Sequence, residues 1–189
     1  MVSVRVSILL QRMHAVLGPK GFTRKGYSWY RTVTPFTQVI NIQIASYRTH
    51  ATVNLGVHER RIFQQATGNE SRLFVDEAAC IVRSRIGFLV GNVDKWWEIS
   101  DPLEVDEMVK IVPDTATNFF DRHQSLGDVA ASLEKSKVVD DPYPLPAIYL
   151  ALIVRELGQT VRSNDILRQL EAKTLGGWRS RITELLTAE

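Results

Sequence analysis

Two arginines that stand two positions apart, Arg83 and Arg85, are the side chains of this sequence best suited to binding an anion. Alternating residues from Ala79 to Ile86 predict a strand, and side chains two positions apart on a strand share one face. Parallel guanidinium groups can each bind a carboxylate or a phosphate through paired hydrogen bonds. The alternative is that both form ion pairs with acidic residues of the C-terminal half, such as Glu98, Glu104 and Asp106.

A second group of polar side chains is predicted on the same sheet. In the stretches VINIQIA and ATVNLGV, apolar residues alternate with Asn41, Gln43 and Asn54, and His58 follows in the same phase. This period of two predicts two strands, each with one apolar and one polar face. Asn41, Asn54 and His58 are therefore candidate binding residues together with the two arginines. For His58 the alternative is ordinary hydrogen bonding within the strand.

The apolar faces of these two strands also predict how the strands pair. A tight turn at Arg48 and Thr49 would place Ile42 opposite Leu55, so that apolar residues meet across a hairpin. A slip of one residue would turn every side chain to the other face, which favours an antiparallel pairing. We therefore expect Ile42 and Leu55 to be buried.

Arg24 and Lys25 form a third candidate site. They stand beside Tyr27, Trp29 and Tyr30, and this mixing of basic and aromatic residues is typical of surfaces that bind single-stranded nucleic acid. The same spacing is typical of a half-buried strand at the edge of a sheet. The sequence lacks the signatures of the common RNA-binding domains. Both interpretations are consistent with the sequence.

Basic residues are concentrated in the first half of the chain. Residues 1–95 carry 13 Lys or Arg against 5 Asp or Glu, whereas residues 96–189 carry 10 against 16. This asymmetry indicates an acidic partner or a nucleic acid for the first half. The alternative is that the two halves complement each other's charge within the folded protein.

The sequence contains no known catalytic or phosphate-binding motif, and we expect neither a cofactor nor a bound metal. Its four histidines and its only cysteine, Cys80, do not follow the spacing of metal ligands. A single cysteine excludes an intramolecular disulfide, and no stretch approaches the ~20 apolar residues that span a membrane. We therefore expect a cytoplasmic protein that does not associate with the membrane.

The remaining pattern predicts an α+β fold. An amphipathic N-terminal helix precedes an antiparallel sheet of about four or five strands, and helices follow from Trp96 onward. Pro113 is expected to interrupt the first of these helices. We place an α+β domain at residues 1–138 and a helical extension at residues 139–189. The expected core residues of the extension are Ile148, Leu152 and Val154.

Several blocks that occur in order resemble a bacterial family of domains of unknown function, family 4304. The blocks are GFTRKGYSWYR, VINIQ, VNLGVH, RSRIGFL and DKWWEI. The resemblance covers about residues 5–125, and the helical extension lies outside it. It implies no catalytic residues, because none is established for that family.

These observations predict a class of function rather than a reaction. We expect a non-enzymatic interaction module that binds a protein partner through the polar, basic side of the sheet, and an immunity or toxin-neutralising role is one specific form of it. The first alternative is nucleic-acid binding through Arg24, Lys25 and the neighbouring aromatic residues. The second alternative is an enzyme that acts on a phosphorylated or acidic small molecule.

Overall fold

The computed structural model describes residues 4–187 and has an α+β fold. Its strands are β1 (Thr23–Lys25), β2 (Ser28–Val33), β3 (Phe36–Ile44), β4 (His50–Glu59), β5 (Val82–Arg85) and β6 (Trp97–Glu98). Its helices are α1 (Val4–Leu17), α2 (Arg60–Thr67), α3 (Ile86–Val90), α4 (Pro102–Asp121), α5 (Leu126–Lys135), α6 (Leu145–Glu156), α7 (Thr160–Lys173) and α8 (Gly176–Thr187). The predicted fold class, an antiparallel sheet with an N-terminal helix and later helices, is confirmed.

The strands form a single sheet in the order β1-β2-β3-β4-β5. The short strand β6 pairs with the start of β4, at His50 and Ala51, on the same side of β4 as β5. The sheet therefore has β1 at one edge and β5 with β6 at the other. Spatial order follows chain order, as is common for antiparallel sheets whose consecutive strands are neighbours.

The loop of the β3–β4 hairpin differs from the predicted two-residue turn. Residues 45–49 connect the strands, and the amide of Ala45 donates to the carbonyl of His50 over 2.9 Å. Counting outward from this bond places Ile42 opposite Val53, two positions away from the predicted partner. The longer loop shifts the register by two residues, and a shift of two preserves the face of every side chain.

The predicted strand from Ala79 to Ile86 is shorter in the structure. A 3₁₀ turn at Glu77–Ala79 precedes it, and β5 covers only Val82–Arg85. The amide of Cys80 donates to the carbonyl of Glu77 within this turn rather than to a neighbouring strand. Local hydrogen bonding therefore delays the start of the strand.

Pro113 does not interrupt α4, contrary to the prediction. The helix runs for 20 residues and buries Met108, Val112, Ala116 and Phe120 on one side. Proline removes one hydrogen bond from a helix interior. Burial of an apolar stripe at four-residue spacing outweighs this loss.

Helices α1 and α4 cover the apolar face of the sheet. The Trp29 indole nitrogen lies 3.4 Å from His14 Nδ1 of α1, and the Trp97 indole donates to Glu107 Oε2 of α4 over 3.0 Å. The core residues of this face, all at most 2% exposed, include Trp29, Ile40, Ile42, Val53, Leu55 and Trp97. The predicted burial of Ile42 and Leu55 is confirmed.

The described chain forms two compact units. Unit 1 contains the residues up to His58 together with Phe74–Arg122, and unit 2 contains Glu59–Leu73 together with the residues from His123 onward. The predicted domain boundary between residues 138 and 139 stays a prediction.

Unit 2 is a helical assembly of α2 and α5 to α8. Its central helix, α6, is almost wholly apolar and packs against α2, α5 and α7. An all-apolar helix needs such surroundings, because no side of it is suited to water. The predicted core residues Ile148, Leu152 and Val154 are buried, which confirms the packed helices predicted for this part of the chain.

Candidate functional site

A continuous row of polar residues crosses the face of the sheet opposite the core. We call it the polar row, and it consists of Lys25, Ser28, Asn41, Asn54 and Arg85, one residue from each of β1 to β5. Strand pairing aligns the first three residues with one another, and it aligns Asn54 with Arg85. The hairpin register places Asn41 opposite Asn54. Residues far apart in the chain thus become neighbours on one surface.

Side-chain hydrogen bonds connect the middle of the polar row. The amide of Asn41 donates to Ser28 Oγ over 2.9 Å. The amide nitrogen of Asn54 lies 3.1 Å from Gln43 Oε1 and 3.4 Å from Asn41 Oδ1. Ser28 and Asn54 are buried, and an unsatisfied buried polar group costs about 1–3 kcal/mol. The network therefore orients these amides and stabilises the sheet face.

Arg85 ends the polar row, and its guanidinium is surrounded by acceptors. Its Nε donates to Asn54 Oδ1 over 3.2 Å, and its Nη2 donates to Gln43 Oε1 over 3.3 Å. Its Nη1 lies 2.7 Å from both carboxylate oxygens of Asp94. The Trp96 ring lies 5.3 Å from the guanidinium carbon. The hydrogen bond from Arg85 lowers the pKa of the Asp94 carboxyl, which therefore stays ionised.

Arg83 lies on the same face as Arg85, as predicted, because β5 pairs both residues with one face of β4. Its Nε donates to Glu77 Oε1 over 2.6 Å, and its Nη2 donates to Glu77 Oε2 over 3.3 Å. Each arginine thus holds a carboxylate of its own. The predicted ion-pair alternative named Glu98, Glu104 and Asp106, and the structure instead provides Glu77 and Asp94.

The two arginines line an open groove of about 450 Å³. Their carboxylate partners and Asn54 contribute polar walls, and Ser84 and Phe88 complete the lining. We call it the arginine groove. Its charges are balanced, because two guanidinium groups face two carboxylates, so a ligand anion would have to compete with Glu77 and Asp94.

His58 lies outside the arginine groove. Its ring is buried, and Nδ1 lies 3.0 Å from the carbonyl oxygen of Ala79. Nearby, a Cβ at Gly56 would lie 2.5 Å from Cys80 Sγ, so only glycine allows the thiol to pack so closely on β4. Burial raises the pKa of Cys80, and the thiol stays protonated. This end of the sheet face is therefore packed rather than open.

Beside the arginine groove, α3 and the loop that follows it expose a run of large apolar side chains. We call Phe88, Leu89, Val90 and Val93 the α3 patch, and they are 38–55% exposed. A Cβ at Gly87 would lie 2.4 Å from the carbonyl oxygen of Val93, so glycine lets the loop fold closely against the helix. Phe88 also lines the arginine groove, which places the patch next to it.

Residues 4–187 contain neither a candidate metal-binding cluster nor a candidate membrane-spanning helix. No group of three or more His, Cys, Asp or Glu side chains is arranged to hold a metal ion. No helix in this range is both long enough and apolar enough to cross a membrane.

The segment that carries this site matches a known protein family. A family model described as Domain of unknown function (DUF4304) matches residues 13–115, which is more than half of the chain. The chain belongs to the DUF4304 family. The sequence resemblance to this family is thereby confirmed. No curated protein and no solved structure shows significant similarity to the chain.

The DUF4304 segment contains all six strands, the polar row, the arginine groove and the α3 patch. Of the predicted site residues in it, Asn41, Asn54, Arg83 and Arg85 lie together on one face of the sheet. His58 lies apart from them, packed against the residues that precede β5.

Arg24 and Lys25 lie on β1, at the opposite edge of the sheet in the DUF4304 segment. Lys25 ends the polar row, and its ammonium lies 4.2 Å from the centre of the Phe74 ring. Arg24 pairs with Trp29 of β2 and therefore lies towards the other face, where its Nε donates to the carbonyl of Gly26 over 3.2 Å. The two neighbouring cations thus flank the edge strand on both sides.

Four groove and patch residues of the DUF4304 segment were not predicted as site residues. Ser84 lies between the two arginines in the predicted strand, and its residue type did not distinguish it. Glu77, Phe88 and Asp94 stand in stretches without strong periodicity, and their importance comes from their position beside β5. The sequence contained one usable signal. The short apolar run FLV lies between Gly87 and Gly91 and is followed by Asn92, which indicates an exposed turn rather than a core element.

Proposed function

We propose that this DUF4304 protein is a non-enzymatic interaction module that binds a protein partner through the α3 patch and the arginine groove. The observation that carries the proposal is the α3 patch, four exposed apolar side chains within six residues of the chain, of which Phe88 also lines the polar groove. Contiguous exposed apolar surface is rare on monomeric proteins and marks interaction sites.

The composition of this surface supports a protein partner. Protein interfaces have an apolar centre that excludes water and a polar rim, and aromatic residues and arginine dominate their binding energy. Phe88 would supply the aromatic anchor. Arg83 and Arg85 would supply the polar rim, where carboxylates already hold their forks in fixed orientations. A protein partner can accept hydrogen bonds at this rim without displacing Glu77 or Asp94.

The same geometry gives less support to an enzyme acting on a phosphorylated or acidic small molecule. Such an enzyme needs a concave pocket with cationic groups available to the substrate. The arginine groove is open, and both of its guanidinium groups are engaged by carboxylates. His58, the one histidine predicted for the site, packs outside the groove.

We extend the proposal to a cytoplasmic setting, supported by the single cysteine of the chain, and to a bacterial source, which rests on the sequence resemblance alone. An immunity or toxin-neutralising role is the form that we propose first, because a neutralising protein needs a binding surface and no catalytic group. Such a protein would bind its partner tightly and block its active surface.

The test compares two aspartate variants for capture of a protein partner. Phe88→Asp combined with Val93→Asp places charges in the α3 patch, whereas Leu103→Asp places a charge at another exposed apolar residue, 76% exposed at the start of α4. Tagged chains are crosslinked in source cells, and captured proteins are quantified by mass spectrometry. We expect a partner that wild type and Leu103→Asp capture and that the double variant loses.

The partner so identified is then purified and titrated against all three chains by calorimetry. Affinity should fall by on the order of tenfold or more for the patch variant, because a hot-spot residue contributes at least ~2 kcal/mol. Equal affinity for the patch variant and the Leu103→Asp control would overturn the proposal.

A further inference from the structure

We infer that the edge of the sheet formed by β1 and β2 binds single-stranded nucleic acid. This site lies at the edge opposite β5 and goes beyond the proposed protein-binding function. We call its cations, Lys20, Arg24, Lys25 and Arg31, the basic edge.

The basic edge lies in a stretch of sequence without acidic residues. Residues 1–58 contain seven Lys or Arg and no Asp or Glu, so no neighbour in the chain can neutralise these cations. In the described chain only Arg12 of this stretch forms an ion pair, with Asp106. Four cations without carboxylate partners produce a positive potential that attracts a polyanion.

The cations of the basic edge are positioned by the fold. Arg31 donates from Nη1 to the carbonyl of Lys20 over 2.9 Å and from Nε to Gln38 Oε1 over 2.8 Å, and its guanidinium carbon lies 4.6 Å from the Phe22 ring centre. These contacts are with neutral groups, so the charge of Arg31 is oriented but not compensated. The exposed Lys20 and Arg24 flank it, and together they form a short cationic track beside β1.

Aromatic side chains at the same edge favour nucleic acid over an acidic protein. Tyr30 and Phe74 lie with Lys25 on the face of the polar row, whereas Arg24 and Arg31 lie on the other face of the edge strands. Tyr27, in the turn between β1 and β2, is 39% exposed. Tyr30 and Phe74 pack edge to face with ring centres 5.1 Å apart, and Lys25 lies over the Phe74 ring. The exposed ring of Tyr27 next to these cations would let a base stack while phosphates are neutralised, which is how sequence-tolerant single-strand binding arises.

Two nearby features define the test of this inference. Asp76 is exposed, and its charge acts near the site, since it adds to burial in raising the pKa of Tyr30. Cations on an edge strand also prevent edge-to-edge pairing between sheets, which would explain Arg24 and Lys25 without any ligand. A titration with a polyanion distinguishes the two roles, because cations that only prevent pairing between sheets would not bind an oligonucleotide more tightly than matched cations elsewhere on the protein.

The probe is a fluorescein-labelled oligothymidylate of about 15 nucleotides, titrated with the full chain by fluorescence anisotropy. We expect binding that weakens by roughly 20- to 50-fold between about 50 and 200 mM salt, because three or four phosphate contacts release counterions. Arg24→Glu combined with Lys25→Glu should weaken binding by at least about tenfold at the lower salt concentration. The control, Arg5→Glu combined with Lys110→Glu, makes the same change of net charge on α1 and α4.

Stacking is tested separately from charge. Tyr27→Ala should weaken oligothymidylate binding by about fivefold or more, because loss of one stacked base costs at least ~1 kcal/mol. Poly-L-glutamate matched for charge should compete poorly with the oligonucleotide. Equal losses for the edge variant and its control would overturn the inference, and so would efficient competition by poly-L-glutamate. The binding affinities are compared only for variants that melt at the same temperature as the wild type. We expect this of all of them, because the substituted side chains are exposed.

Discussion

The two faces of one sheet are stabilised in different ways, although the same strands supply both. On the core face, Ile42 and Leu55 pack without any need for a specific partner atom. On the opposite face, Asn54 and Arg85 each depend on several oriented hydrogen bonds. Apolar packing is non-directional, whereas a polar network is effective only when each donor meets its acceptor.

This contrast indicates which face tolerates change. Loss of an apolar side chain from the core face leaves a cavity that the surrounding residues cannot fill. Loss of an exposed polar side chain lets water replace some of the missing hydrogen bonds. The residues of the polar face can therefore change at a smaller loss of stability, and we expect a binding surface on this face.

The strongest test of the contrast is Leu55→Ala. Leu55 is fully buried on β4, and its truncation should lower the free energy of unfolding by ~2–5 kcal/mol through lost burial and a cavity. Urea denaturation followed by circular dichroism measures the change. Val33→Ala, at a side chain 45% exposed on β2, is the matched control and should change stability by less than about 0.5 kcal/mol. A small loss for Leu55→Ala would show that the core face is loosely packed.

An intermediate effect is expected for Gly56→Ala, where the polar face is itself closely packed. The added Cβ would lie 2.5 Å from Cys80 Sγ, and such overpacking should cost ~1–3 kcal/mol. Gly177→Ala, where a Cβ would meet no atom within 4 Å, should leave stability unchanged or raise it slightly. In a chain that also carries Cys80→Gly, Gly56→Ala should lower the free energy of unfolding by less. An undiminished cost there would mean that the thiol is not the obstacle.

The smallest effects are expected for the two arginines of the polar face, and they should differ from each other. Arg85→Ala removes hydrogen bonds to Asn54 and Gln43 and should cost about 1 kcal/mol of stability. Arg83→Ala breaks an ion pair with Glu77 that is open to solvent on the Arg83 side, so water can reach the vacated position, and it should cost less than about 1 kcal/mol. Both variants should weaken binding of the protein partner more than they weaken folding. Thermal melts beside calorimetric titrations measure both quantities, and a large loss of melting temperature would assign the arginines to structure alone.

Acidification provides a control for the Arg85 assignment. The pKa of Asp94 is lowered by its hydrogen bond from Arg85, so the pair stabilises the fold above the ordinary aspartate value of 3.8. This contribution is lost as the pH falls through the lower pKa of the folded state. The stability difference between wild type and Arg85→Ala should therefore narrow at pH values below 3.8. A constant difference would show that the ion pair with Asp94 contributes nothing.

Local patterns in the sequence were sufficient to predict much of this architecture. The alternation around Ile42 and Leu55 predicted two antiparallel strands and their buried face, because a period of two is a property of the extended chain itself. The apolar run around Ile148 and Leu152 predicted a buried helix for the same kind of reason. The two parallel arginines followed from their spacing on one strand.

Local patterns failed where the outcome depended on non-local contacts. The number of residues in the β3–β4 loop set the register, and no periodicity records that number. Pro113 was predicted to break a helix that tertiary burial keeps continuous. His58 had the correct phase for the polar face but lies against a turn that packs over its end of the strand.

The sequence by itself determined the strand faces, the apolar helix of unit 2 and the absence of acidic residues from residues 1–58. These are properties of residue type and spacing, and they do not depend on distant partners. Only the tertiary structure decided that Arg85 binds Asp94, that Arg83 binds Glu77 and that the α3 patch lies beside them. The physical reason is that an ion pair and a surface patch depend on distances in space, and strand pairing sets those distances by joining segments remote in the chain.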